Sequence, residues 1–229
     1  MTSTTPTHIG YILDGNRRWA RAQGLAVFRG HARGKEVLRE IVHETFSAGV
    51  EFITVYAFST ENWRRSQTEV SYLMKAIVDA LGEYLDEFIE NKVKIVVLGE
   101  REGLPDDVIA SIENAEKETA QFTGKTFGIC INYGGQTEIT SAVKAIVASG
   151  VAADKISPEL IAEHLYAPEI PPCDLIVRTS GEQRLSNFML WRSAYSELLF
   201  VKKNWPDMTK DDVRDILEEY AKRERREGK

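Results

Sequence analysis

Cysteine is scarce. The 229 residues hold two, Cys130 and Cys173, without metal-ligand spacing between them, which argues against a disulfide framework or a structural zinc site and suits a reducing compartment. No apolar run approaches the roughly 18 residues that a membrane span needs. The first seven residues offer no basic stretch leading into an apolar one, so a soluble, cytoplasmic chain is expected. Basic residues are the minority: 29 against 35 acidic ones, a formal charge of -6 and a pI near 5.4. That balance argues against a surface for nucleic acid and confines any anion site to a local cluster. Internal repeats and low-complexity tracts are absent as well. What remains, 43% hydrophobic and 28% charged, is ordinary for one globular domain, expected over residues 8–229 behind a flexible stretch at 1–7.

Short apolar, β-branched runs at 9–13, 52–58, 93–98, 126–131, 175–177 and 198–201 predict buried strands. Helical spacing recurs between them at 34–48, 70–89, 106–120, 138–148, 158–165 and 209–226. The alternation predicts an α/β fold with a central, mainly parallel sheet surrounded by helices. Over 70–89, Leu73, Met74, Ile77, Val78, Leu81, Leu85 and Phe88 form one apolar stripe; the pattern alone fits a helix packed on a core or one lining a tunnel for lipid.

In parallel sheets, ligands bind beyond the carboxyl ends of the strands. Three polar clusters stand there. Asp14-Gly15-Asn16-Arg17-Arg18-Trp19 follows the first strand, combining a carboxylate that can hold Mg²⁺, a flexible backbone for close approach to phosphate, and guanidinium groups that grip it bidentately. An Asp-Gly turn with a solvated basic flank is the plainer reading. Ser59-Thr60-Glu61-Asn62-Trp63-Arg64-Arg65 follows the second strand, and Arg178-Thr179-Ser180-Gly181-Glu182-Gln183-Arg184-Leu185-Ser186-Asn187 the fifth. Their shared placement points to a site for two diphosphates.

Other motifs fail on context. Asp211-Asp212-Val213-Arg214-Asp215 spells a DDxxD, but it opens a helix behind Thr209, where carboxylates cap and suit the dipole. Gly124-Lys125-Thr126 resembles the end of a P-loop, yet it precedes a strand instead of following one. Arg223-Glu224-Arg225-Arg226 reads as a solvated helix end.

The wording and order of the clusters resemble the cis-prenyltransferases (Z-isoprenyl diphosphate synthases) of the undecaprenyl diphosphate synthase type. Gly30-His31, Ala57-Phe58, Asn132-Tyr133-Gly134-Gly135 and Trp205-Pro206-Asp207 extend the match across the chain. The resemblance implies a parallel sheet with an apolar tunnel, a homodimer, and Mg²⁺-dependent condensation of isopentenyl diphosphate with an allylic diphosphate such as farnesyl diphosphate. The product would be a Z-polyprenyl diphosphate, a lipid carrier for cell-wall glycans, released through peripheral contact with a membrane.

By the same resemblance Asp14 holds the metal, and Gly15, Asn16, Arg17, Arg18, Trp19, His31 and Arg65 surround the allylic diphosphate. Arg178, Arg184, Leu185 and Ser186 form the isopentenyl diphosphate site, with Glu197 a second metal ligand contributed across the dimer. Asn62, with Ser59, Thr60, Glu61 and Trp63 beside it, stands where the family assists proton removal, though an amide is a poor base. Val27, Gln136 and Gln183 depart from common Arg, Arg and His, and Arg29 is a candidate substitute for the first. Arg226-Glu227-Gly228 matches an Arg-x-Gly that reaches the partner's diphosphate in some relatives. The resemblance leaves two alternatives: head-to-middle coupling of two allylic diphosphates, and a non-catalytic partner subunit.

Overall fold

A computed structural model describes residues 5–223. Six strands are built by these residues: β1 (His8–Ile12), β2 (Phe52–Ser59), β3 (Val93–Leu98), β4 (Lys125–Tyr133), β5 (Leu175–Arg178) and β6 (Glu197–Phe200). They form one sheet in the order β3-β4-β2-β1-β5-β6, and each adjacent pair runs parallel. All five residues of β1 are buried, as in a central strand covered on both faces. Their side chains alternate: Ile9 and Tyr11 enter one core, while Ile12 enters the other.

The helices are α1 (Asn16–Ala22), α2 (Val27–Ser47), α3 (Gln67–Glu83), α4 (Leu85–Glu90), α5 (Asp106–Thr119), α6 (Gly135–Ala148), α7 (Pro158–Glu163) and α8 (Lys210–Ala221). Buried residues of α2, α3, α5 and α8 pack on the Ile9/Tyr11 face. The opposite face is filled by residues of the 166–192 segment, including Tyr166, Ile170, Cys173, Phe188 and Met189. Cys130 and Cys173 are buried free thiols; burial raises both, Cys173 to about 12. No helix of the described residues is long and apolar enough to cross a membrane.

Two expected helices differ markedly, and one helix was not expected. The helix expected at 70–89 is two, with Tyr84 between α3 and α4 at φ -103 and ψ 0. Gly82, a weak helix former, stands two residues before that break. The helix expected at 34–48 starts seven residues earlier, at Val27. α1 was not expected at all: it buries only Ala20, so it carries no apolar period to read. At the chain start, Pro6 is buried and the Thr7 amide donates to Asp174 Oδ2 at 2.7 Å. Thr209 and Asp212 form a capping box on α8, the role assigned to the DDxxD, and Lys125 opens β4.

Candidate active site

Asp14 follows the carboxyl end of β1, and Arg178 ends β5 beside it. From β1 the chain continues to β2 on one side, while β5 lies on the other, so these residues flank the crevice where strand order reverses. Asp14 Oδ2 accepts from Arg178 Nη2 at 2.8 Å, and its Oδ1 accepts from the Gly15 amide at 2.8 Å. Arg178 also donates to Ser186 Oγ at 2.8 Å and to the Arg184 carbonyl, while its Nε is buried without a partner. A buried donor beside an open crevice calls for an acceptor oxygen.

Local backbone makes this arrangement fit. Gly15 has φ +103, and a Cβ there would lie 2.5 Å from Asn204 Oδ1, so only glycine turns the chain from β1 into α1. Gly30 and Gly34 on α2 give Asn16 its room: a Cβ on either would come within 2.1 or 2.2 Å of its oxygens. Trp205 and Asp207 fasten the same region. The Trp205 amide donates to the Asp14 carbonyl at 3.0 Å, its indole to the Gly34 carbonyl at 2.9 Å, and Trp19 Nε1 to Asp207 Oδ1 at 2.7 Å. After β5, Ser180, Ser186, Asn187 and Met189 all take positive φ, the kind of strain that clusters where a loop is shaped for function.

Beside Asp14 the second cluster closes the mouth of a cavity of about 730 Å³. Asp14, Asn16, His31, Ser59, Glu61, Asn62, Arg65, Arg178 and Ser186 line it, bringing together nine residues singled out in the sequence. Asn62 Oδ1 accepts from the Ser59 amide at 3.2 Å, so the polar group left to it is the NH₂, a donor that suits an anion and cannot act as a base. Away from the mouth the lining is largely apolar, with Leu38, Val42 and Phe46 of α2, Leu73, Ile77 and Leu81 of α3, and Val55, Phe127 and Ile129 of the sheet. The stripe over 70–89 therefore borders a hollow. The cavity follows α2 from His31 to Ser47, about 24 Å at 1.5 Å per residue, and the apolar part of that wall runs from Leu38 to Phe46, about 12 Å.

Two carboxylates organise the cations: Glu69, which lies outside the three clusters, and Glu182 of the third. Glu69, in the first turn of α3, lies 3.0 Å from Arg65, 3.5 Å from His31 Nε2 and 3.9 Å from Arg17. Glu182 receives Arg18 and Arg184, and these two guanidinium groups hold its carboxyl below the usual range. Burial, and then the Arg65 charge, hold the His31 imidazole below its ordinary value. The signal for Glu69 was its four-residue spacing from Arg65 at a helix start. Its function needs the fold, because His31 and Arg17 come from other helices.

Several expected site residues do not line the cavity. Trp63 donates to Asn132 Oδ1 at 2.8 Å and sets its ring edge-on to Phe58. Leu185 packs against the core of the opposite face, and Thr60 lies beside Gly134, where a Cβ would meet its Oγ1 at 2.9 Å. Glu197 starts the edge strand and pairs with Arg223 at 2.8 Å. It is level with Leu175 and Ile9, two strands across the sheet from β1 and roughly 10 Å short of Ile12 along the strand direction, with Asp14 beyond. Asp14 and Glu197 of one chain therefore do not share an ion. Arg226-Glu227-Gly228 lies outside the described residues.

Among the described residues no three metal-ligating side chains converge. Asp14 alone fits a hard cation here, since Mg²⁺ accepts one or two carboxylates when phosphate oxygens and water supply the remainder. Its side chain is 32% exposed at the mouth, open to such a partner.

Fold and site define an α/β protein with a carboxylate and a ring of cations at the mouth of a long apolar hollow. The chain belongs to the cis-prenyltransferase (isoprenyl transferase) family: the family described as putative undecaprenyl diphosphate synthase matches residues 12–228. It is a prenyl-group transferase. An isoprenyl transferase of Thermotoga maritima is 44% identical over 97% of both chains. A geranylgeranyl-diphosphate-specific tritrans,polycis-undecaprenyl-diphosphate synthase of Picrophilus torridus is 42% identical, covering 97% of this chain and 90% of that one. The crystal structure of lavandulyl diphosphate synthase from Lavandula x intermedia with dimethylallyl diphosphate superposes with a TM-score of 0.95 at 32% identity, covering 99% of each chain.

Proposed function

We propose that this enzyme lengthens an allylic diphosphate, farnesyl diphosphate foremost, with isopentenyl diphosphate in the presence of Mg²⁺ to give a Z-polyprenyl diphosphate such as undecaprenyl diphosphate, a lipid carrier for cell-wall glycans. The observation that carries this reading is the Asp14–Arg178 pair at the mouth of a hollow whose inner wall is largely apolar, with Leu38 to Phe46 covering about 12 Å of α2 opposite Leu73, Ile77 and Leu81 of α3. A diphosphate head fits the first and a growing hydrocarbon tail the second.

Asn16, His31 and Arg65, with Arg17 behind them, hold the allylic diphosphate. Arg178, Arg184 and Ser186 hold that of isopentenyl diphosphate. Mg²⁺ on Asp14 would neutralise charge on the departing diphosphate. As the allylic carbon–oxygen bond breaks, a carbon–carbon bond forms to the terminal carbon of the isopentenyl double bond. The surrounding cations stabilise the leaving group, and fixed head groups keep the two carbons adjacent. The proton lost from the isopentenyl unit passes to a diphosphate oxygen or water that Asn62 orients. Glu197 acts across a homodimer, completing the partner's metal site. The enzyme works in the cytoplasm with peripheral contact to a membrane for product release.

The test is incubation of the protein with isopentenyl diphosphate, each of dimethylallyl, geranyl, farnesyl and geranylgeranyl diphosphate, and Mg²⁺, with products sized by mass spectrometry. A ladder of five-carbon additions, lost in Asp14→Ala by about 10³-fold or more, is expected. The likeness to lavandulyl diphosphate synthase favours a second reading, head-to-middle coupling of two allylic diphosphates. Product from dimethylallyl diphosphate alone would establish that reading and overturn elongation.

A further inference from the structure

The chain carries an excess of acid, yet residues 15–35 hold six cations, Arg17, Arg18, Arg21, Arg29, Arg33 and Lys35, and no carboxylate. Four of them are committed to ion pairs with Glu69, Glu182, Glu36 and Glu83. Arg21 and Arg29 face no carboxylate among the described residues. Between them the turn from α1 to α2 is exposed throughout residues 21–26, and it presents two large apolar side chains to solvent, Leu25 at 44% and Phe28 at 49% exposure. Arg29 lies 5.9 Å from the Phe28 ring centroid, a cation kept beside an apolar plane. Exposed apolar side chains flanked by unpaired arginines, on a molecule that is otherwise acidic, match a surface with negative head groups over an apolar interior.

Position supports the same occupant. The turn hangs between Asn16 and His31, both of which line the cavity mouth, so a bilayer touching Leu25 and Phe28 would lie next to the opening through which a lipid leaves. We propose that the α1–α2 turn, through Leu25, Phe28, Arg21 and Arg29, docks the enzyme on an anionic bilayer. This rests on the reading of peripheral membrane contact given above and names the surface that makes it.

The test is sedimentation of the full-length protein with vesicles of phosphatidylcholine alone and of phosphatidylcholine mixed with phosphatidylglycerol. The protein is expected to bind only the anionic vesicles, more weakly as salt rises. Arg21→Glu should weaken binding roughly 25-fold, about fivefold for each of the two charges changed. The pair Leu25→Ser/Phe28→Ser should weaken it by about tenfold or more. Leu25→Ser alone serves if the pair lowers the melting temperature. Turnover of soluble substrates is expected to stay unchanged in Arg21→Glu and Leu25→Ser. Absence of binding by the unaltered protein would overturn membrane contact altogether, whereas equal binding by the variants would overturn only this surface. Displacement from vesicles by inorganic pyrophosphate would make the patch an anion site, and a change of sedimentation mass in Leu25→Ser would make it a contact between copies of the chain; either result overturns the proposal.

Discussion

On one face of the sheet the side chains meet; on the other they leave a gap. Behind β1 and β5, Tyr56 stacks on Phe188 with ring centroids 4.8 Å apart, and Arg192 joins Glu138 at 2.6 Å with both side chains nearly inaccessible. Tyr133 donates to the same carboxylate at 2.6 Å, and Arg192 caps the carbonyls of Tyr166, Ala167 and Ile170. In front of β2 and β4, α2 and α3 stand apart around the cavity; Lys35–Glu83 joins α2 to the end of α3, and Arg39–Glu87 joins it to α4. The filled face anchors the 166–192 segment and hence the Arg178–Ser186 loop. The hollow face forgoes packing that would otherwise stabilise the fold, which is reasonable only where something else occupies the space.

This contrast breaks most visibly at Arg192. Arg192→Met leaves Glu138 a buried unpaired carboxylate and should cost about 4 kcal/mol in urea unfolding; a small loss would mean that the filled face tolerates gaps as the hollow one does. His8, also behind the sheet, is held at about 4 chiefly by burial. The unfolded chain binds a proton near pH 6.5 that the folded chain refuses. Stability from this group is therefore complete above pH 6.5 and falls by about 3 kcal/mol as pH drops to 4. Equilibrium unfolding across that window in the unaltered protein and in His8→Gln should show the slope in the first and its loss in the second.

The hollow face responds through ligands. Glu69, its side chain only 13% exposed, occupies the cations that a diphosphate would take, so Glu69→Gln should tighten pyrophosphate binding about fivefold or more by calorimetry, since even an exposed ion pair is worth up to about 1 kcal/mol. Weaker binding would instead make Glu69 the strut that holds Arg17, His31 and Arg65 in place.

Strands were legible because buried parallel strands are runs of apolar, β-branched residues bounded by polar turns, and the three clusters were legible because such sheets put ligands at those turns. The hollow was not. A stripe such as Leu73, Ile77 and Leu81 is apolar whether it meets a core or a lipid, and periodicity reports only that it avoids water. α1 was hidden because most of its side chains are polar and only Ala20 is buried. The buried pair Glu138–Arg192 joins residues far apart in the chain, and no local spacing announces it. The place of Glu197 was hidden likewise: as sequence it is one more carboxylate beside a strand, and only the register sets it well away from Asp14.

At the far end of the hollow, Phe88 stacks on Phe127 with ring centroids 5.2 Å apart, next to Phe46 beneath the Lys125 ammonium. If the growing chain fills this space, those rings set where it stops. The most direct measurement is the product length distribution of Phe88→Ala beside that of the unaltered enzyme, by mass spectrometry with farnesyl and isopentenyl diphosphates. A shift to longer products by one or more five-carbon units is predicted, and an unchanged ladder at full activity would contradict the assignment of the hollow to the product.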